Sequence, residues 1–114
     1  MLDPVGSSLE KYMDLLSVRQ KLIASNIANA DTPGYKTQDV DFQAEFQKAL
    51  AGGEGKAQAV EVTGLRTQND GNNVNLDRES RLLSENALRF STATQLMRNR
   101  FKIIKDAIQE GKSA

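Results

Sequence analysis

The chain has 114 residues, one domain at most, and its 15 basic and 15 acidic side chains balance, so net charge points to neither nucleic acid nor an anionic membrane. It contains no Cys and no His, which excludes disulfides, thiolate zinc sites and Cys nucleophiles and removes the commonest general base near neutral pH. Two Tyr, four Phe and no Trp are few large side chains for a globular centre, so an elongated chain without a conventional core is expected.

The first residues, MLDPVGSSLEKYMDLL, lack the uninterrupted apolar run of a secretory signal, and no later stretch approaches the roughly 20 apolar residues of a membrane span. Ser7-Ser8-Leu9-Glu10 fits a capping box and predicts a helix from about residue 7. Leu9, Tyr12, Leu16, Ile23, Ile27 and Ala30 recur at helical steps, and Leu15, Val18 and Leu22 form a second row beside them. That apolar surface is too wide for one partner. The helix is predicted to run to about residue 30 and to end before Pro33, because Thr32 precedes a proline and is pushed out of the α region.

The end of this helix reads SNIANADTPGY, residues 25–35. Ser25, Asn26 and Asn29 fall in its last turn and a half, where short amides suit the unpartnered carbonyl groups or a neighbouring chain's backbone. Ala24, Ala28 and Ala30 keep that surface low. Thr32-Pro33-Gly34-Tyr35 suits a type II turn, with Pro fixing the first central dihedral and Gly accepting a positive φ at the second.

Phe42, Phe46 and Leu50, following Asp39 and Asp41 and preceding Gly52-Gly53, predict a short helix over about 42–51, with both aspartates serving its start. Residues 52–74 are polar and Gly-rich. Only Val60-Glu61-Val62 alternates like a strand, so this segment is expected to be a loop with at most a short hairpin.

A second long helix is predicted over about 76–110, capped by Asn75 or Asp77 and stopped by Gly111. Leu83, Ala87, Phe90, Thr94, Met97, Phe101, Ile104 and Ile108 alternate steps of four and three, the pattern of a coiled-coil seam. Arg78, Arg81, Arg89, Arg98, Arg100, Lys102 and Lys105 form a solvated basic edge beside it. The fold class expected is therefore mainly α, two long terminal amphipathic helices forming an elongated coiled coil, with a short helix and an irregular middle.

Taken as composition, an Asn-Ala helix end before Pro-Gly is commonly only a stop signal. In its order, however, SNIANADTPGYK resembles the N-terminal signature of the bacterial flagellar axial family, the rod, hook and hook-associated proteins. Residues 70–90, DGNNVNLDRESRLLSENALRF, are similar to the matching C-terminal motif of the rod proteins. The two pieces cover the first 50 residues and nearly all of the last 45; the DFQAEFQKAL segment and the LDRE spelling are most like a proximal-rod protein.

The resemblance implies a structural subunit of the flagellar basal-body rod. Its terminal helices would pack in a helical tube, after export through the flagellar type III apparatus without a cleaved signal and assembly in the periplasm. Implied partners are other rod proteins, the basal-body ring or its adaptor, the export apparatus and further copies of the chain. Two amphipathic helices with more apolar surface than they cover mutually agree with this, since repeated heterologous contact generates a tube. The residues expected at subunit contacts are Asn26, Ile27, Asn29, Pro33, Gly34, Tyr35, Leu83, Phe90, Met97, Phe101 and Ile104.

Rival readings are weaker. Asp70-Gly71-Asn72-Asn73-Val74-Asn75-Leu76-Asp77 invites a calcium loop, but Val74 and Asn75 fall where a ligand and the turn Gly belong. A nucleic-acid contact along the last helix is interrupted by Glu79, Glu85, Asp106 and Glu110 and lacks interleaved aromatics. Asp39 and Asp41 resemble a carboxylate pair only superficially, and Tyr35 is an anchor for its turn. No catalytic residue, cofactor or metal is assigned; a small coiled-coil adaptor or a different rod subunit is the remaining alternative.

Overall fold

The computed structural model describes residues 3–53 and 55–113, so the outermost positions of the expected 1–114 domain lie outside the described residues. Three helices and one two-stranded ladder follow in the order α1 (Pro4–Ala28), β1 (Gln38–Val40), α2 (Phe42–Leu50), β2 (Ala59–Glu61) and α3 (Leu76–Ser113). The particle measures 72 × 26 × 17 Å with a radius of gyration of 18.6 Å. A compact chain of this length would have about 13 Å, so the expected elongation is present.

Helix α1 starts three residues before the Ser7 capping box. Asp3 is its N-cap and accepts from the Gly6 N–H at 2.7 Å, while Pro4 occupies the first turn. An Asp-Pro pair supplies both a strong cap and a preset φ, and it overrides the weaker signal downstream; Ser8 Oγ donates instead to the Pro4 carbonyl at 2.9 Å. The helix closes at Ala28 rather than residue 30, with Asn29 as its C-cap at φ −104°, ψ 16°; its N–H makes the last helical bond to the Ser25 carbonyl at 3.0 Å, and its side-chain amide adds a second to the same oxygen at 2.8 Å.

The type II turn forms as the sequence predicts. The Tyr35 N–H donates to the Thr32 carbonyl at 3.2 Å, and Gly34 takes φ 77°. Strand β1 follows and pairs antiparallel with β2 in the register Gln38↔Glu61, Asp39↔Val60, Val40↔Ala59. The strand expected near residue 60 is therefore real, but its partner lies upstream, and α2 sits in the connection. Asp41 caps α2 by accepting from the Ala44 N–H. Tyr12 of α1 meets the edges of Phe42 and Phe46 at ring separations of 5.4 and 5.6 Å, which holds α2 against α1.

Helix α3 begins at an Asn75 cap, whose side chain accepts from the Arg78 N–H at 3.1 Å. Gly111 does not stop it, since the helix continues to Ser113. It runs antiparallel to α1, with Glu79 beside Asn26 at one end, Asn86 beside Leu16 in the middle, and Arg100 paired with Asp3 at the other end. At 1.5 Å per residue α3 is about 57 Å long and α1 about 37 Å. Among the described residues the surplus beyond Arg100 has no helix opposite it, and residues 101–112 are all exposed.

The face of α3 turned to α1 is not the predicted seam. Of its buried and half-buried positions, Glu79, Leu82, Asn86, Ala93, Met97 and Arg100 form one row at steps of three, four, seven, four and three, with Arg78 and Thr94 half-buried beside it. Asn86 donates to the Leu16 carbonyl at 3.0 Å and to the Gln20 side chain at 2.9 Å. Because this row carries a carboxylate, an amide and a guanidinium, counting apolar residues alone does not find it. The seam lies on an adjacent row and, Met97 and Thr94 excepted, is exposed, with Phe101 and Ile108 each at 54 %.

The apolar core between the elements is small: Leu15, Leu16 and Ile23 of α1, Val40, Val74 and Ala93. Buried polar and charged groups are as prominent, among them Asn26, Thr37, Asp39, Asn72, Asn73, Glu79 and Asn86. Fully burying a Leu or Ile contributes about 2 kcal/mol, so so few apolar residues leave a large share of the cohesion to polar bonding.

Candidate functional site

Apart from Asn86, the buried polar groups gather where the end of α1, the turn, β1 and the start of α3 converge. Asn26 is at the centre and is fully buried. Its amide nitrogen donates to the Gln38 carbonyl at 2.8 Å and to one carboxylate oxygen of Glu79; its carbonyl oxygen accepts from the Tyr35 hydroxyl and the Gln38 N–H, each at 3.0 Å. Both donors and both acceptor positions are thus occupied. Since the Tyr35 proton is committed to Asn26, the Ser25 hydroxyl 3.2 Å away is the donor to the Tyr35 oxygen.

Glu79 is fully buried and its other oxygen pairs with Arg78 at 2.8 Å. Arg78 reaches on to Asp39 at 2.8 Å, and Arg19 of α1 grips both oxygens of the same Asp39 at 3.1 Å. Two guanidinium groups and two carboxylates alternate along this line, so it is formally neutral. Each carboxylate also has a non-ionic donor, the Val40 N–H for Asp39 and the Asn26 amide for Glu79. Such a chain is satisfied as a whole but vulnerable at any link, because removing one partner leaves a buried charge uncompensated.

A second layer ties the turn to the segment before α3. The Asn72 amide donates to the carbonyls of Asn29 and Thr32, both at 2.8 Å, and its oxygen accepts from the Val74 N–H at 2.8 Å. Asn73 Oδ1 accepts from the N–H and hydroxyl of Thr37 at 2.7 and 2.8 Å. The Gly34 N–H donates to the Asp70 carbonyl at 2.9 Å, and the Asn73 N–H to that of Tyr35 at 3.2 Å. Gly71, at φ 87°, lies so close that a Cβ there would be 3.3 Å from the Gly34 Cα. Asn72 and Asn73 are thus spent on the helix end, the turn and the approach to β1, while Asn75 caps α3.

The residues expected at subunit contacts divide accordingly. Asn26 and Tyr35 lie inside the interlock, and the hydrogen-bonding capacity of the Asn26 amide is used within its own chain. Asn29 answers the carbonyl of its own helix end. Pro33 and Ile27 are exposed, and Gly34 is exposed on the side away from Gly71. Leu83, Phe90, Phe101 and Ile104 lie uncovered on α3, with Met97 half-buried among them. Asp39 does not cap α2; the Arg19 and Arg78 guanidiniums hold it. Sequence reasoning missed Arg19, Thr37, Asp39, Asn72, Arg78 and Glu79 as members of one site. The Asn72-Asn73 and Arg78-Glu79 pairs were the available signal.

Fold and interlock together define the class: an elongated, mainly α protein whose N- and C-terminal signature motifs bind each other. Residues 13–36 match the family described as flagella basal body rod protein. Over 97% of this chain and 99% of the relative, the sequence is 29% identical to the flagellar basal body rod protein FlgB of Escherichia coli (strain K12). To that of Borrelia hermsii it is 31% identical, over 87% of this chain and 91% of the relative. The chain belongs to the FlgB family of flagellar basal body rod proteins. The Escherichia coli alignment spans 137 positions against 114 residues here, so the relative carries residues with no counterpart in this chain.

Proposed function

We propose that this chain is a structural subunit of the proximal rod of the flagellar basal body and that the uncovered apolar row of α3 joins it to neighbouring subunits. The observation that carries the reading is the exposure of Leu83, Phe90, Phe101, Ile104 and Ile108 along one helix, with the last three beyond the reach of α1. Exposed apolar surface of this extent on a narrow particle marks an interaction face. Repetition of such a contact between unlike surfaces extends into a helical assembly.

The interlock has the complementary task. It sets the angle between α1, β1 and α3, so that each subunit presents its α3 row in the same orientation. Other rod proteins, the basal-body ring or its adaptor, and further copies of the chain are the partners of this reading, reached after export by the flagellar type III apparatus. It assigns the protein no catalytic step. The test is a strain lacking the chain, complemented with wild type or with Phe101→Asp. The first should restore basal bodies containing the protein, and the second should yield exported protein absent from them; normal incorporation of Phe101→Asp would overturn the role given to this row.

A further inference from the structure

Asp70-Gly71 is the one place in the sequence where an Asp or Asn precedes Gly. Such a pair carries its own chemistry, because the Asp carboxyl carbon and the next backbone nitrogen can close a five-membered ring. Gly leaves that nitrogen unshielded and its peptide free to turn. The Gly71 nitrogen bonds to Cγ of Asp70 and gives up its proton, the carboxyl gives up a hydroxyl, and the two depart as water. Water then adds at the main-chain carbonyl carbon of Asp70 and breaks that carbon's bond to nitrogen. The product is isoaspartate, equal in mass, with the main chain routed through the side chain and longer by one methylene.

This pair lies where the two signature motifs approach most closely. The Asp70 carbonyl accepts from the Gly34 N–H at 2.9 Å, the Lys36 ammonium donates to the Gly71 carbonyl, and Gly71 sits against Gly34. Both reacting groups are held in place. The Gly71 N–H donates to the Gln68 carbonyl at 2.9 Å, and one Asp70 carboxylate oxygen accepts from the Asn72 N–H at 3.0 Å. Asn72 is itself fully buried, with its amide on the Asn29 and Thr32 carbonyls. Asp70 is exposed to water, so what restrains the ring closure is this bonding rather than burial.

We infer that Asp70 is an isoaspartate-forming site gated by the interlock. Bringing the Gly71 nitrogen onto Cγ rotates the peptide between them, which breaks the bonds to Gln68 and Gly34 together, so the closed subunit is protected and an open chain reacts. A chain that has reacted closes less stably. Its former Asp70 carbonyl is a free carboxylate, and the extra methylene falls where a single added methyl already crowds Gly34. The inference rests on closure of the subunit and not on the chain acting in a rod.

The experiment ages the full chain in native buffer and in guanidinium chloride at one pH and temperature, and locates isoaspartate by isoaspartyl methyltransferase labelling with peptide mapping. It should accumulate at residue 70 roughly tenfold or more faster in guanidinium. Asn26→Ala, which loosens the interlock, should raise the rate in native buffer. Wild type aged in guanidinium and returned to native buffer should then unfold at a lower midpoint. Asp70→Ser, whose hydroxyl still offers the Asn72 N–H an acceptor but forms no imide, should keep its own midpoint through the same treatment. Equal rates in the two solvents, or an Asn26→Ala rate equal to wild type, would overturn the gate. Absence of isoaspartate at residue 70 in guanidinium would overturn the site, and an isomerised chain with the midpoint of a fresh one would overturn its effect on closure.

Discussion

Asn26 and Glu79 stand 53 positions apart in the chain and meet side chain to side chain, both fully buried, at the point where α1 ends and α3 begins. One belongs to the N-terminal signature and the other to the C-terminal one. The pairing gives the two motifs a physical reason to occur together: each supplies the hydrogen-bond partners that the other would bury unsatisfied. The same relation recurs between Asn72 and the carbonyls of Asn29 and Thr32, and between Asn73 and Thr37.

Asn26→Ala is predicted to destabilise the isolated protein, although Ala is the better helix former. Glu79, Tyr35 and both polar backbone groups of Gln38 would lose a partner, at about 1 to 3 kcal/mol for each group left buried and unsatisfied. Urea unfolding followed by circular dichroism should show a clear drop in midpoint. An unchanged or raised midpoint would return SNIANADTPGY to the role of a helix stop.

Arg78→Ala should be severe for a different reason. It strips the cation from the fully buried Glu79 and one of two cations from Asp39, and breaking a buried pair from one side costs about 3 to 5 kcal/mol. Arg81→Ala, at an exposed position one turn on, should stay within about 0.5 kcal/mol of wild type in the same unfolding experiment. Equal effects of the two changes would show that the ionic line contributes no more than surface charge does.

Gly71→Ala tests the second layer. The residue has φ 87°, and the added methyl would be 3.3 Å from the Gly34 Cα, so the change combines left-handed strain with a crowded backbone. A loss of about 1 to 3 kcal/mol is expected. A thermal midpoint equal to wild type would mean that the two turns do not approach as closely in solution.

Much of this architecture was legible in the sequence. Helical periodicity located α1 and α3, Asp41 before Phe42 marked α2, and Pro33-Gly34 fixed the turn. The interlock was not legible, because hydrogen-bond complementarity between segments some 50 residues apart leaves no periodic trace in either. The row of α3 that faces α1 was not legible for a related reason: Glu79, Asn86 and Arg100 occupy heptad positions toward α1, while most of the apolar row that reads as a seam is left exposed. Asp3-Pro4 displaced the predicted start of α1 because a second, stronger cap stood just upstream. Gly111 was expected as a stop, yet a helix tolerates Gly at a penalty of about 1 kcal/mol.

Ile104→Asp separates closure of the subunit from its assembly. The side chain is exposed and lies beyond the end of α1, so the unfolding midpoint of the monomer should move by no more than about 0.5 kcal/mol in equivalent stability. In an assembled rod the same charge would be buried against a neighbour at a cost of several kcal/mol. The expected result is a stable, exported protein missing from purified basal bodies. A variant that unfolds easily as a monomer would place Ile104 in the subunit's own core.

The central claim is that the signature motifs close the subunit on itself while the far end of α3 awaits a neighbour, and hydrogen exchange on dilute monomer tests it most directly. The Thr37 and Gln38 N–H groups, which donate to Asn73 and Asn26, should exchange slowly, through opening of the whole interlock, whereas the amides of residues 101–112 should exchange far faster by local fraying. Exchange at Thr37 and Gln38 as fast as at Ile108, or protection at Ile108 matching theirs with no oligomer present, would contradict the account.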